Sequence, residues 1–169
     1  RYSKKRDQEW IGDKLQVTET DDENLPHMLT DIAITSSVES DQHALGEIQS
    51  RQVAREGLPA ERMVDQGYVS GATLADSAAI GEDLVGPAPS DKSPQARLPD
   101  GLALDQFKVD AAQGSATCPG GQTTTNRSIL ADGGQLFKFA PDTCAACPLR
   151  TRCCMGHGGR TITLGPHHA

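Results

Sequence analysis

The chain has 169 residues, enough for one ordinary domain or for one domain carrying a small insertion. Hydrophobic residues make up 36%, aromatics only 4%, and 17 glycines with 10 prolines predict much turn and loop around a thin core. A formal net charge of −7 disfavours a dedicated nucleic-acid-binding domain, and no stretch is long and apolar enough to predict a membrane helix. The charged start does not read as a signal peptide. The expectation is a soluble cytoplasmic protein with no membrane partner.

Charge is unevenly spread. Arg1, Lys4, Lys5 and Arg6 open the chain, and the acidic run "TETDDENLPH" soon follows. A solvated surface explains the acidic run; for the basic run, surface and phosphate contact are both open readings. Residues 10–20, "WIGDKLQVTET", set Leu15 and Val17 between polar neighbours, which predicts a half-buried strand. "TDIAIT" repeats the alternation with Ile32 and Ile34, and "ENLPH" supplies the turn of an antiparallel pair.

Next, "SDQHALGEIQSRQVAREG" carries Ala44, Leu45, Ile48 and Ala54 near helical spacing, with Ser40 or Asp41 as cap and Gly57 and Pro59 as stop. "AERMVDQGYVS" predicts a short strand ending at or near Asp65. Ser70 caps a second helix, "GATLADSAAI", closed by Gly81, and "EDLVG" is a third short strand. Residues 31–86 therefore alternate strand and helix, the pattern of an α/β domain with parallel strands. Asp65 has two open readings: a turn-forming aspartate before Gly67, or a strand-end carboxylate lining a ligand crevice. His27 and His43 read as solvent-edge residues.

Residues 87–100 form a Pro-rich linker between residues 1–86 and a Cys-rich part over 101–169, where "DQFKVD", "QLFKFA" and "TITL" are strand candidates. All five cysteines fall between positions 118 and 154, which fits metal or free thiols better than a secreted disulfide framework. Cys144 and Cys147 form a C-x-x-C pair on a tight turn, the arrangement tetrahedral zinc needs; Cys153 and, from a separate hairpin, Cys118 would complete four thiolates. Cys154 or His157 is the substitute ligand. Reduced, partly buried thiols without metal are the competing reading. Four thiolates leave no open position for water, so a hydrolytic zinc is not expected.

Taken in order, "KKRDQEWIGDKLQVTETDDENLPHMLTDIAIT", "LPAERMVDQGYVSG" and "GEDLVGP" resemble the DDE-type transposases of bacterial insertion sequences. "ATCPGGQTTT", "FAPDTCAACPLRTRC" and "GRTITL" resemble the cysteine-containing insertion of one branch. The resemblance implies a partial ribonuclease H-like mixed sheet with flanking helices over 1–86 and a small Cys-rich insertion over 101–169. It also implies Mg²⁺-dependent DNA cleavage and strand transfer by two aspartates and a glutamate, with DNA and a further copy of the chain as partners near the nucleoid.

Asp65, before Gln66-Gly67-Tyr68, matches the second aspartate, a magnesium ligand. Lys4, Lys5, Arg6 and Lys14 become DNA-phosphate contacts. The family's first aspartate belongs to a strand preceding "KKRD", and its glutamate to a helix following the insertion. Asp21, Asp22 and Asp31 do not match the first position, and no glutamate follows Glu82. The expectation is a transposase fragment, inactive alone. The alternative is a non-catalytic zinc-stapled binding module or a decayed remnant.

Overall fold

The computed structural model describes residues 2–5, 8–156 and 158–167. It divides into two compact units, residues 1–89 and 90–169, so the Pro-rich stretch straddles the boundary.

The first unit opens with an antiparallel hairpin, β1 (Tyr2–Lys5) and β2 (Gln8–Ile11). Gly12 follows, and then β3 (Asp13–Glu19) pairs antiparallel with β4 (Leu29–Ser36), as the alternation predicts. The buried face is the opposite of the expected one. Leu15 pairs across with Ile34 and Val17 with Ile32, and all four side chains are exposed. Gln16, Asp31 and Thr35 are buried instead. The physical reason lies on the neighbouring helix, α1 (Asp41–Ala54). Its Arg51 donates to Asp31 at 2.6 Å and its Arg55 at 2.9 Å, so the carboxylate is drawn inward by two guanidiniums.

The start and stop of α1 follow local chemistry. Ser40 accepts the N–H of His43 and caps the first turn. The stop falls one residue earlier than Gly57. Glu56 adopts the left-handed conformation at φ 54°, and Gly57 N–H returns to the carbonyl of Gln52 while Glu56 N–H reaches Val53. This is the paired return of a Schellman end, with a non-glycine at its left-handed position.

β5 (Glu61–Met63) and β6 (Asp83–Val85) pair in parallel through the crossover helix α2 (Gly71–Ala79). Ser70 and Thr73 close a reciprocal capping box on α2, and Gly81 supplies the positive φ of 85° beyond its end. Beneath the strands lies a polar core. Arg62 on β5 donates to Glu82 at 2.8 Å, and its other arm reaches Gln52. Gln49 bridges Glu82 and Ser77. Glu82, the last glutamate of the chain, is therefore fully committed to this network.

The three strand pairs of this unit remain separate. β3 is bonded only to β4, and β5 only to β6, among the described residues. Continuous parallel pairing of the strands over 31–86, expected from the alternation, holds only for β5 and β6.

The second unit has two three-stranded antiparallel sheets. β7 (Lys108–Asp110), β8 (Ser115–Thr117) and β9 (Thr123–Thr124) form one. β10 (Arg127–Ile129), β11 (Gln135–Lys138) and β12 (Thr161–Leu164) form the other. Between β11 and β12 run two short helices, α3 (Pro141–Ala145) and α4 (Arg150–Cys153). Phe107, Ala116, Phe137, Phe139 and Ile162 form a small core, with Cys118, Cys144 and Cys153 packed against its edge. The strands expected at 105–110, 135–140 and 161–164 are present; β8, β9 and β10 escaped sequence reading because two or three Thr/Ser-rich residues show no period.

Candidate functional sites

In the first unit a cleft of about 790 Å³ is walled by residues 16–22 of β3 and its turn, and by residues 61–65 of β5 and its exit. Leu45, Ile48 and Gln52 of α1 form part of its lining. Residues of β3 and β5, each bonded to only one strand among the described residues, thus line one cleft.

Asp65 stands on the β5 side, two residues beyond the strand, and is exposed. Its Oδ1 accepts the N–H of Gly67 at 2.7 Å, and its carbonyl accepts the N–H of Tyr68. That is the turn geometry expected of an aspartate before glycine, and the same turn points the carboxylate at the cleft. Asp65 is thus a turn aspartate that also lines the cleft.

Sequence reading missed its neighbour, Asp41. A methyl group on Gly67 would lie 2.9 Å from Asp41 Oδ2 and 3.0 Å from Asp65 Oδ1. The two carboxylates close over the glycine, so a side chain there would have to push one of them aside. Nothing in the local pattern around Asp41, a helix-opening acid, signals this approach across 24 positions. Tyr68 completes the corner: its hydroxyl donates to Gln16, and burial, then Asp41 and Asp65, push the phenol up from its ordinary pKa.

Lys14 and Lys4 each have an acidic partner. Lys14 donates to Asp41 at 2.8 Å and to the carbonyl of Glu39, so its ammonium is engaged beside the Asp41–Asp65 corner. Lys4, on β1, pairs with Glu9 at 3.0 Å on an exposed surface. Lys5 lies on the same strand. Arg6 lies outside the described residues, as does His157. His27 sits in the exposed turn between β3 and β4.

Glu39, His43 and Glu47, at the start of α1, bring one ligand atom each within 4.8 Å of the others. His43 is exposed and hydrogen-bonds Glu39, which raises the imidazole pKa. Successive acids and a histidine at a four-residue spacing meet on any helix surface, so the group needs no ion to explain it.

In the second unit the cysteines converge. Cys118 follows β8 and starts a tight turn in which its N–H reaches the carbonyl of Gln122 and Gly121 takes a φ of 78°. Cys144 lies in α3 and Cys147 on the turn after it, so the C-x-x-C pair closes a helix rather than a hairpin. Cys153 ends α4 and Cys154 follows it. All five thiols are free and line one cavity of about 30 Å³, together with Phe139, Arg150 and Arg160. Burial pushes the Cys153 thiol up; Arg160 opposes the shift and the thiols of Cys144, Cys154 and Cys118 add to it.

Among the described residues no helix is long and apolar enough to cross a membrane. No family model matches the chain, and neither the curated proteins nor the solved structures contain a match to it.

Proposed function

We propose that the first unit is an incomplete ribonuclease H-like core of a DDE-type transposase, with Asp65 as one of its metal-binding carboxylates and the second unit as its cysteine-containing insertion. The cleft between β3 and β5 carries the reading. One wall is the free edge of an antiparallel pair and the other the free edge of a parallel pair. An extended segment laid between them would bond to both and join β4, β3, β5 and β6 into one mixed sheet. The resemblance implies such a segment, a first strand bearing an aspartate. Side chains on adjacent strands stand about 5 Å apart, so that aspartate would share a site with Asp65.

The donor chemistry fits a hard divalent cation. Asp65 offers an exposed carboxylate oxygen at the cleft, and the adjacent Asp41 adds negative potential, part of which Lys14 balances. A bound pair of magnesium ions would supply activation of the attacking oxygen and stabilisation of the leaving one on a DNA phosphodiester. Asp65 holds one side of that arrangement. One carboxylate of three cannot hold both ions, so on this reading Asp65 works only together with two further carboxylates. DNA, a further copy of the chain, and phosphate contacts through Lys4, Lys5 and Arg6 belong to the complete enzyme.

Sequencing the DNA on both sides of the reading frame tests the proposal. It should encode an Asp-bearing strand before "KKRD" and a Glu-bearing helix after the insertion. In the protein containing both, Asp65→Ala should abolish Mg²⁺-dependent strand cleavage and leave DNA binding largely intact. Absence of both flanking elements, or cleavage unchanged by Asp65→Ala, would end the catalytic reading.

A further inference from the structure

We propose that Cys118, Cys144, Cys147 and Cys153 hold a single zinc ion, and that Arg150 and Arg160 balance the charge of the resulting four-thiolate centre.

Three separate pieces of chain deliver these sulfurs to one wall: the β8–β9 turn, the end of α3, and the end of α4. The cavity they line is small, about 30 Å³. The β8–β9 turn and the C-x-x-C turn meet at Gly120. A methyl group there would lie 3.4 Å from Cys147 Sγ and 3.6 Å from Cys118 Sγ, so the two sulfurs flank the same backbone position. The backbone N–H of Arg160 donates to Cys144 Sγ at 3.4 Å, a contact that favours sulfur as a thiolate acceptor.

The arginines supply an independent observation. Arg150 Nη1 and Arg160 Nε are both buried without a hydrogen-bond partner, and both residues line this cavity. Their other nitrogens donate to backbone carbonyls: Arg150 to Gly156, and Arg160 to Cys153 and Leu102. Arg160 also lies 5.4 Å over the Phe107 ring, and beside neutral thiols the two buried N–H groups are left without an acceptor. Four thiolates around a dication carry a net charge of −2, and two guanidiniums beside them cancel it.

Cys154 separates from the ligand set. Its Sγ donates to the carbonyl of Gly158 at 3.0 Å, which requires the proton that a zinc ligand gives up. The Glu39–His43–Glu47 group is the one set of ligand atoms among the described residues already within 4.8 Å of one another. The sulfurs therefore ring their cavity more openly than in a filled tetrahedral site, and metal binding draws the three chain segments together to Zn–S distances of about 2.3 Å. A core of five residues gains a staple in the process.

The test uses the full 169-residue chain. Elemental analysis of the purified protein should give one zinc per chain. After chelation, Co²⁺ should restore a tetrahedral-thiolate absorption spectrum with a sulfur-to-cobalt charge-transfer band. Cys154→Ser should retain the ion and the spectrum; Cys118→Ser and Cys147→Ser should lose both. Should these serine variants fail to fold, the ligand count read from the wild-type Co²⁺ spectrum decides. Arg150→Gln with Arg160→Gln should weaken Co²⁺ binding at least tenfold. A folded wild-type chain without zinc, whose five thiols all react at one rate with a thiol reagent, overturns the proposal. So does loss of the ion in Cys154→Ser.

Discussion

Replacing Glu82 with alanine attacks the first unit at its most buried charge. The Glu82 side chain is 0% exposed and that of Arg62 is 6%. Deleting the carboxylate removes the partner of Arg62 and one of two acceptors of Gln49. It leaves a guanidinium in the interior with only Gln52 to receive its second arm. Removing one member of a buried pair costs about 3–5 kcal/mol, because the surviving charge stays desolvated. A unit of this size is stable by about 5–10 kcal/mol, so the substitution takes roughly a third or more of the total. Urea unfolding followed by far-ultraviolet circular dichroism should show the midpoint of this unit falling by a corresponding fraction. The double variant Arg62→Met with Glu82→Leu should recover most of the loss, since no orphan charge remains. A cost below about 1 kcal/mol for Glu82→Ala, or a double variant as unstable as the two single losses combined, would refute the assignment of this network as the organiser of the unit.

Two further outcomes follow from the same unit. Asp31 is held below the ordinary aspartate pKa by its hydrogen bond to Arg51, against the opposing effect of burial, with added attraction from Arg51 and Arg55. A depressed folded-state value means that its stabilisation is present above the unfolded aspartate value and disappears as pH falls through the folded one. Asp31→Asn should therefore flatten the acid limb of the urea midpoint against pH; an unchanged limb would assign acid sensitivity to other groups. Gly86→Ala should cost about 1–3 kcal/mol in the same assay, because the added methyl would meet the Val64 carbonyl at 2.8 Å and a Val69 methyl at 2.7 Å. A neutral substitution there would show that the β6 exit is less tightly packed than the contacts imply.

Sequence reading located the elements whose signals are local. Ser40, Ser70 and Gly81 act through neighbours three or four positions away, so caps and helix limits could be read directly. The cysteine grouping was legible for a related reason: spacing alone joins Cys144 to Cys147 and brings Cys153 near. Burial was not legible. Alternation in β3 and β4 gives the period but not which face finds a partner, and the arginines that turn Asp31 inward lie 20 and 24 residues further on. The Asp41–Asp65 approach failed for the same reason. Both residues read as ordinary local features, a helix-opening acid and a turn aspartate, until the fold places them over one glycine.

That inversion of faces bears on the catalytic reading. A sheet whose polar face packs on α1 leaves Leu15, Val17, Ile32 and Ile34 as an apolar ladder on the other side. A two-stranded ribbon gains little by burying only hydrogen-bonding groups, and pairs of strands are marginal without a packed face. The same ribbon also presents the free β3 edge to the cleft that Asp65 borders. A strand inserted between β3 and β5 would satisfy that edge, join the two ribbons into one five-stranded sheet, and give Asp65 a neighbour on the adjacent strand. Stability and chemistry therefore make the same demand on this unit. On the proposed reading, a chain that also carries the Asp-bearing strand should resist urea better and bind Mg²⁺ at Asp65, and a chain that gained neither would overturn that reading.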